Sequence, residues 1–275
     1  MNAALLRFAR NRMAVFGAAV LLALLAIVVL CPLLYPGDPF RLAGPPLQPP
    51  GQHFLLGTDT LGRDVAAGIA YGARTSLLVG VGATLAAILF GSIVGGLAGY
   101  YRGMMDVALM RVTEFFQTIP AFILAILIVA ILSPSVPTEV LAIAAVSWPG
   151  IARLVRGEFV ALGGREFVLA CSGLGASDTR IIVRHLLPNC LSSIIAVGSL
   201  LIGTAILIES GLAFLGLGDP NVMSWGLIIS AGRAVLRSAW WICTFPGIAI
   251  LLTVLGINLV GDGLNEALNP RLRDR

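Results

Sequence analysis

Five stretches of this chain, residues 13–37, 75–101, 115–138, 185–208 and 238–261, carry no charged side chain. A helix crossing a hydrocarbon core of about 30 Å needs about 20 residues, so each stretch is long enough to span a bilayer. A sixth span begins near Glu139 and continues through Val140 to Ala152, with Trp148 and Pro149 inside it. It reaches full length only if it passes Arg153 toward Phe159. With 58% apolar residues against 12% charged, the chain lies outside the range of soluble proteins.

Arginine placement tests this count, because cytoplasmic loops carry the excess of positive charge. Six spans put both termini inside. The inside then holds Arg7, Arg10 and Arg12, next Arg102 and Arg111, next Arg153, Arg156, Arg165, Arg180 and Arg184, and finally Arg271, Arg273 and Arg275. Only Arg41, Arg63, Arg74, Arg233 and Arg237 remain outside, and dropping the fourth span would move the Arg153 to Arg184 group there as well. The first apolar run is longer than the roughly 7–15-residue core of a secretory signal and lacks a small-residue cleavage site, so it reads as a retained span. The expected fold is therefore all-α, a polytopic membrane bundle of six helices with both termini cytoplasmic. Its expected divisions are an arm and first helix (1–37), an extracytoplasmic proline-rich segment (38–74), a core (75–265) and a cytoplasmic tail (266–275). The core includes a cytoplasmic loop (158–185) and an extracytoplasmic segment (211–241).

All 18 basic residues are arginine, so no lysine is present to serve a phosphate-binding loop, a Schiff base or an amine nucleophile. The chain cannot itself carry a Walker-type ATP site. The arginines are dispersed between apolar runs rather than massed in a basic domain, which argues against nucleic acid. Cys31, Cys171, Cys190 and Cys243 show no metal-ligand or disulfide spacing and read as free thiols. His53 and His185, the only two histidines, fall on opposite membrane faces in this topology, so they cannot share a catalytic or metal site. No catalytic residue, metal or cofactor is expected in this chain.

The segment after the first span holds Pro32, Pro36, Pro39, Pro45, Pro46, Pro49 and Pro50, which favour extended and turn conformations and suggest a structured cap. In segment 211–241, the apolar patch from Trp225 to Ala231 is too short to span and suits a shallow re-entrant or interfacial helix. Two uses of that outside bulk stay open: receiving a partner, or lipid-surface anchoring through Trp225, Trp240 and Trp241. Gly91, Gly95 and Gly99 recur every four residues and open one helix face to close packing. Pro120, Pro149 and Pro246 are expected to kink spans three, four and six. Ionisable groups avoid the span centres: Glu114 opens span three, Glu209 closes span five and Asp262 ends span six, with Asn258 one turn earlier. Glu114, Glu209 and Asn258 are the candidate gate or path residues, against the plainer reading of interfacial charge with structural partners. No carboxylate or histidine relay of the sort a proton-coupled carrier needs is evident.

The most informative stretch is the inside loop from Arg165 to Asp178. Phe167, Ala170, Cys171 and Leu174 fall at i, i+3, i+4 and i+7, which predicts a short helix with one apolar stripe. Gly175 can end it in a left-handed cap, and Ser177 can cap a second helix with Asp178 at its positive end. Leu169-Ala170-Cys171, Gly175 and Leu187-Pro188 stand at the spacing of the cytoplasmic signature of importer permeases: Glu-Ala-Ala, three residues, Gly, nine residues, Ile-x-Leu-Pro. The chain here resembles the permease subunits of ATP-binding-cassette importers, specifically the second permease of the dipeptide, oligopeptide and nickel family. Three positions depart from the signature: Leu169 replaces its Glu, Cys171 its second Ala and His185 its Ile. The resemblance extends to Leu56-Gly57-Thr58-Asp59 through Asp64, to Tyr71-Gly72-Ala73-Arg74-Thr75-Ser76, to Phe214-Leu215-Gly216-Leu217-Gly218, to Ser224-Trp225-Gly226, and to the tail ending Asn269-Pro270-Arg271.

That resemblance implies a bacterial inner-membrane importer assembled from this chain, a homologous permease, two cytosolic ATPases that bind ATP and Mg, and an extracytoplasmic solute-binding protein. It implies coupling to the ATPases through Glu166, Phe167, Leu169, Ala170, Cys171, Leu174, Gly175, Ser177 and Asp178, and alternating access for di- or oligopeptides. Nickel chelates, glutathione or another small solute are the alternatives within the family. A secondary transporter working without an ATPase is the alternative outside it, and would be expected to show internal inverted repeats that the sequence does not convincingly display.

Overall fold

The computed structural model describes residues 8–51 and 53–268. Arg7, Arg271, Arg273, Arg275 and the Asn269-Pro270-Arg271 ending lie outside the described residues. Among those described there is no β-strand, only two isolated bridges. From Arg12 on, the described residues form the α-helices α1 (Arg12–Leu34), α2 (Val65–Tyr101), α3 (Gly103–Thr118), α4 (Ala121–Leu132), α5 (Val136–Gly163), α6 (Glu166–Gly173), α7 (Asp178–Ile181), α8 (Leu187–Phe214), α9 (Trp225–Gly232) and α10 (Trp241–Leu268). Five continuous helical segments are long and apolar enough to cross a membrane, and α3 with α4 makes a sixth only as a pair bent by 87°.

The third span is thus corrected. Residues 115–138 do not form one helix. Pro120 cannot donate to the preceding turn and forces its neighbour toward extended geometry, and Ile119 sits at φ −90°, ψ 129°. The apolar run is split between the end of α3, the twelve residues of α4 and the start of α5. At 1.5 Å per residue, α4 covers only about 18 Å. By contrast α5 passes through Pro149, Arg153 and Arg156 without interruption and takes the longer of the two extents that the sequence allowed.

Several helices also begin or end beyond their charge-free stretch. Asp64 accepts from the Ala66 N–H at 2.8 Å and starts α2 ten residues before Thr75, so Arg74 lies within the helix. Its 37 residues rise about 55 Å, well past a bilayer core. Pro32 lies inside α1 rather than in the proline-rich segment. Helix α8 continues past Glu209 to Phe214. At its start, Leu187 N–H bonds to the Ile182 carbonyl, five residues back, through a widened turn at Ile182–Leu186. Pro188 cannot donate to the carbonyl of Arg184, which accounts for the loosened ladder there.

Two ends of the bundle follow from the packing. At one end, α6 and α7 pack with the end of α5 and the start of α8, and Asn11 Nδ2 donates to Glu266 Oε2 at 2.8 Å, joining the two ends of the described chain. At the other end lies the proline-rich cap, residues 35–64. There Thr58 is fully buried, its hydroxyl donating to the Pro45 carbonyl at 2.7 Å and accepting from Gln48 N–H at 2.8 Å. Trp241 Nε1 donates to the Thr58 carbonyl at 3.1 Å and locks the cap to the start of α10.

The core is built on small residues. A Cβ added at Gly91 would stand 2.7 Å from Ile151 Cβ and from the Trp148 carbonyl oxygen, one at Gly95 would overlap the Ala152 carbonyl, and one at Gly99 would stand 2.8 Å from the Arg156 carbonyl oxygen. With fully buried Ala83 and Ala87, this makes a four-residue repeat along α2 on which α5 lies backbone to backbone. Gly17 of α1 meets Gly256 and Leu259 of α10 in the same manner. Outward-facing leucine, isoleucine, valine and phenylalanine side chains cover the rest of the spans, as lipid contact requires.

Candidate functional site

At the end carrying α6, the short helix forms where the sequence places it, and Gly175 adopts φ +79°, the left-handed stop. Ser177 occupies the N-cap position of α7 but its side chain makes no capping bond; Asp178 instead accepts from the Tyr100 hydroxyl of α2 at 2.8 Å. The anchoring contact lies beside the apolar stripe. The side chain buried under α6 is Val168, 5% exposed, joined by half-buried Cys171. They pack on Phe159 of α5, Ile181 of α7, and Leu186 and Cys190 at the start of α8. Phe167, Leu169, Ala170 and Leu174 remain exposed, Leu174 at 89%. The helix is anchored by one pair of side chains and presents its other apolar residues outward.

This anchorage ties α6 to α5, α7 and the start of α8, and further contacts extend it to α2 and α3. Arg102, just past α2, donates to the Val160 carbonyl of α5 at 3.2 Å. Arg156 of α5 makes a two-pronged ion pair with Asp106 of α3, with the Nη2–Oδ2 arm at 2.7 Å. Glu114 lies on exposed α3, its carboxylate 3.2 Å from Arg111 Nη1. Asn258 is half-buried in α10, its Oδ1 without a hydrogen-bond partner.

At the cap end, the patch from Trp225 to Ala231 becomes α9, capped by Ser224 and packed into the bundle. Trp225 is fully buried and donates from Nε1 to the Ile69 carbonyl of α2 at 2.9 Å, while Gly226 lies against Ser210 and Ala213 of α8. Trp225 and Trp241 are therefore interior packing residues; of the three tryptophans considered as lipid anchors, only Trp240 is exposed. The extension of α8 carries Glu209 into the interior beside Ser76 and Ser210, with Glu139 of α5 buried nearby under the 215–224 loop. Sequence reading used Glu139 only as a span boundary, because nothing in the order of residues links it to a group seventy positions away.

The chain matches the family model described as binding-protein-dependent transport system inner membrane component over residues 87–274, well over half its length. It belongs to that family of importer permeases. Residues 1–50 of this permease also match the N-terminal membrane domain of oligopeptide transport permease C. It is 40% identical over 267 residues to a dipeptide transport system permease of Alkalihalophilus pseudofirmus, covering 96% of this chain and 88% of the relative. It is 35% identical to the oligopeptide transport system permease of Bacillus subtilis, covering 98% and 89%, and 38% identical to a glutathione transport system permease of Pectobacterium atrosepticum, covering 97% and 90%. This permease is a multi-pass protein of the bacterial inner membrane and a subunit of an ATP-binding-cassette importer.

Proposed function

We propose that this permease pairs with a homologous permease to form the path for di- or oligopeptides delivered by an extracytoplasmic binding protein, and that two cytosolic ATPases drive it through α6. The chain ends and α6 then face the cytoplasm, and the cap faces outside. The observation that carries the coupling role is the divided surface of α6: Val168 and Cys171 turn inward, while Phe167, Leu169, Ala170 and Leu174 stay bare at one end of the bundle. Solvent-facing apolar groups on a firmly anchored helix suit insertion into a groove on another protein. ATP and Mg belong to the partner subunits, since this chain lacks the lysine of a phosphate loop. Peptides are favoured over glutathione or nickel chelates by the names of the dipeptide and oligopeptide relatives. Catalysis is not part of this reading.

The test is Leu174→Asp and Phe167→Asp in the native operon context, with Gly175→Pro as a backbone variant. ATPase co-purification and peptide uptake should fall while membrane insertion and helicity persist. Undiminished uptake in all three would remove α6 from the coupling role.

A further inference from the structure

Glu209 lies within α8, fully buried, and Glu139 lies in the first turn of α5, 2% exposed. Glu209 Oε2 accepts from the hydroxyls of Ser76 on α2 and Ser210 on α8, each at 3.2 Å. Its Oε1 is buried and has no hydrogen-bond partner. Glu139 Oε1 accepts from Asp219 N–H at 3.1 Å, and a Cβ at Gly218 would sit 3.7 Å from that oxygen and 2.8 Å from Ala213 Cβ, one turn beyond Glu209. The 215–224 loop closes over both carboxyls.

The charged and titratable groups facing the pair supply no counter-charge. Asp219, in the loop, is a third acid that accepts from Val136 N–H at 3.4 Å. Helix α2 contributes Ser76 and keeps Arg74 exposed, while α9 contributes Ser224 and Trp225, and its following turn sends Arg233 to the Phe214 carbonyl. Among the described residues, the ion pairs are Arg111–Glu114 and Arg156–Asp106, neither of which includes these acids. Two buried carboxylates without a cation repel each other and lose hydration that the serine hydroxyls around Glu209 and one amide at Glu139 cannot replace.

We propose that Glu139 and Glu209 form a proton-binding site that holds at least one proton at neutral pH, keeping the 215–224 loop and α9 seated on α2, α5 and α8. The unpartnered Oε1 of Glu209 suits a neutral carboxyl, which asks for fewer donors than a carboxylate. Removing the proton leaves a second negative charge beneath the loop, with no arginine in place to receive it. Protonation at this site thereby ties the seating of the cap-side elements to pH, independently of the solute carried.

The experiment is infrared spectroscopy of the full chain in lipid nanodiscs, wild type against Glu209→Gln and Glu139→Gln, across a pH series in H2O and D2O. The expected result is a protonated-carboxyl carbonyl band in wild type at neutral pH, shifted by D2O, lost on alkalinisation and absent in one or both variants. Ser76→Ala should shift the frequency of a band arising from Glu209 without removing it, a response that a purely structural role for Glu209 would not give. Difference spectra showing only ionised carboxylates for both Gln variants at neutral pH would overturn the proposal. Circular dichroism of each variant establishes that it is folded, and a band unchanged in both folded variants would also overturn the proposal.

Discussion

Replacing Gly95 by alanine tests the packing on which the rest of this permease is built. A methyl group there overlaps the carbonyl of Ala152, which is backbone of a 28-residue helix and cannot swing aside as a side-chain tip can. Accommodation requires α2 and α5 to separate locally, loosening the flanking contacts of Gly91 with Ile151 and of Gly99 with Phe159. Overpacking of this kind costs about 1–3 kcal/mol. Alanine also returns helix propensity of about 1 kcal/mol relative to glycine, so the net loss falls between roughly 0 and 2 kcal/mol. Gly82→Ala on the same helix supplies the control, because its Cβ would meet Val140 at 3.6 Å, an ordinary contact, and should gain about 0.5–1 kcal/mol from propensity. The measurable quantity is the difference between the variants, about 2 kcal/mol, read from detergent-driven unfolding of purified protein by circular dichroism. Equal stability of the two, or greater stability of Gly95→Ala, would refute backbone-to-backbone packing of α2 on α5.

Trp241→Phe removes the indole donor from the buried Thr58 carbonyl and should cost about 1–3 kcal/mol. The loss should appear as faster limited proteolysis within residues 35–64, with the transmembrane helices still protected. Tyr100→Phe removes the exposed hydroxyl bond to Asp178, costs about 0.5–1.5 kcal/mol, and should weaken transport more than it weakens assembly with the ATPases. Asp106→Asn should loosen α3 from α5 by about 1 kcal/mol or less, since the Arg156 side chain is 39% exposed and solvent screens the pair. A double-mutant cycle with Arg156→Gln gives the coupling energy directly, and a value of zero would show that the pair does not hold α3.

The all-α class and five of the six spans were legible because lipid imposes long, uncharged helices, and Gly175 and Pro188 mark the loop on which the family resemblance rests. Boundaries were less legible, for a physical reason. Charge marks where a helix leaves the hydrocarbon, whereas hydrogen bonding decides where it ends, so α2 could begin at Val65 and α8 could carry Glu209 inward. On α6, Phe167, Ala170 and Leu174 of the stripe face outward, whereas the anchoring contact through Val168 was not legible, because it depends on Phe159, Ile181 and Leu186 from elsewhere in the chain. The break at Pro120 was anticipated as a kink and proved an 87° bend, since no intact hydrogen-bonded turn joins α3 to α4. The burial of Trp225 and the approach of Glu139 to Glu209 are long-range results of how α9 and its loop fold back, and local pattern holds no record of them.

Mechanical continuity differs sharply among these helices. Val168 and Cys171 fix α6 to the end of α5, to α7 and to the start of α8, while Tyr100 and Arg102 fix the same region to the end of α2. From there the small-residue seam binds α2 to α5 along much of their length. A displacement of α6 cannot be absorbed within that seam, because close-packed backbones leave no slack, so α2 and α5 must move as one body toward the cap. The compliant joint lies elsewhere, at Ile119-Pro120, where α3 turns into α4 without a continuous hydrogen-bonded turn. Helix α3 is held to the rigid pair by the Arg156–Asp106 bridge, which water screens, and by Phe116 packed near its end against Trp148, Ala152 and Ala87, while α4 is held by apolar packing of Ala125 and Val129 with Ala142 of α5 and Leu212 of α8. A push transmitted from α6 would therefore change the angle between α3 and α4, now 87°, before it separated α2 from α5.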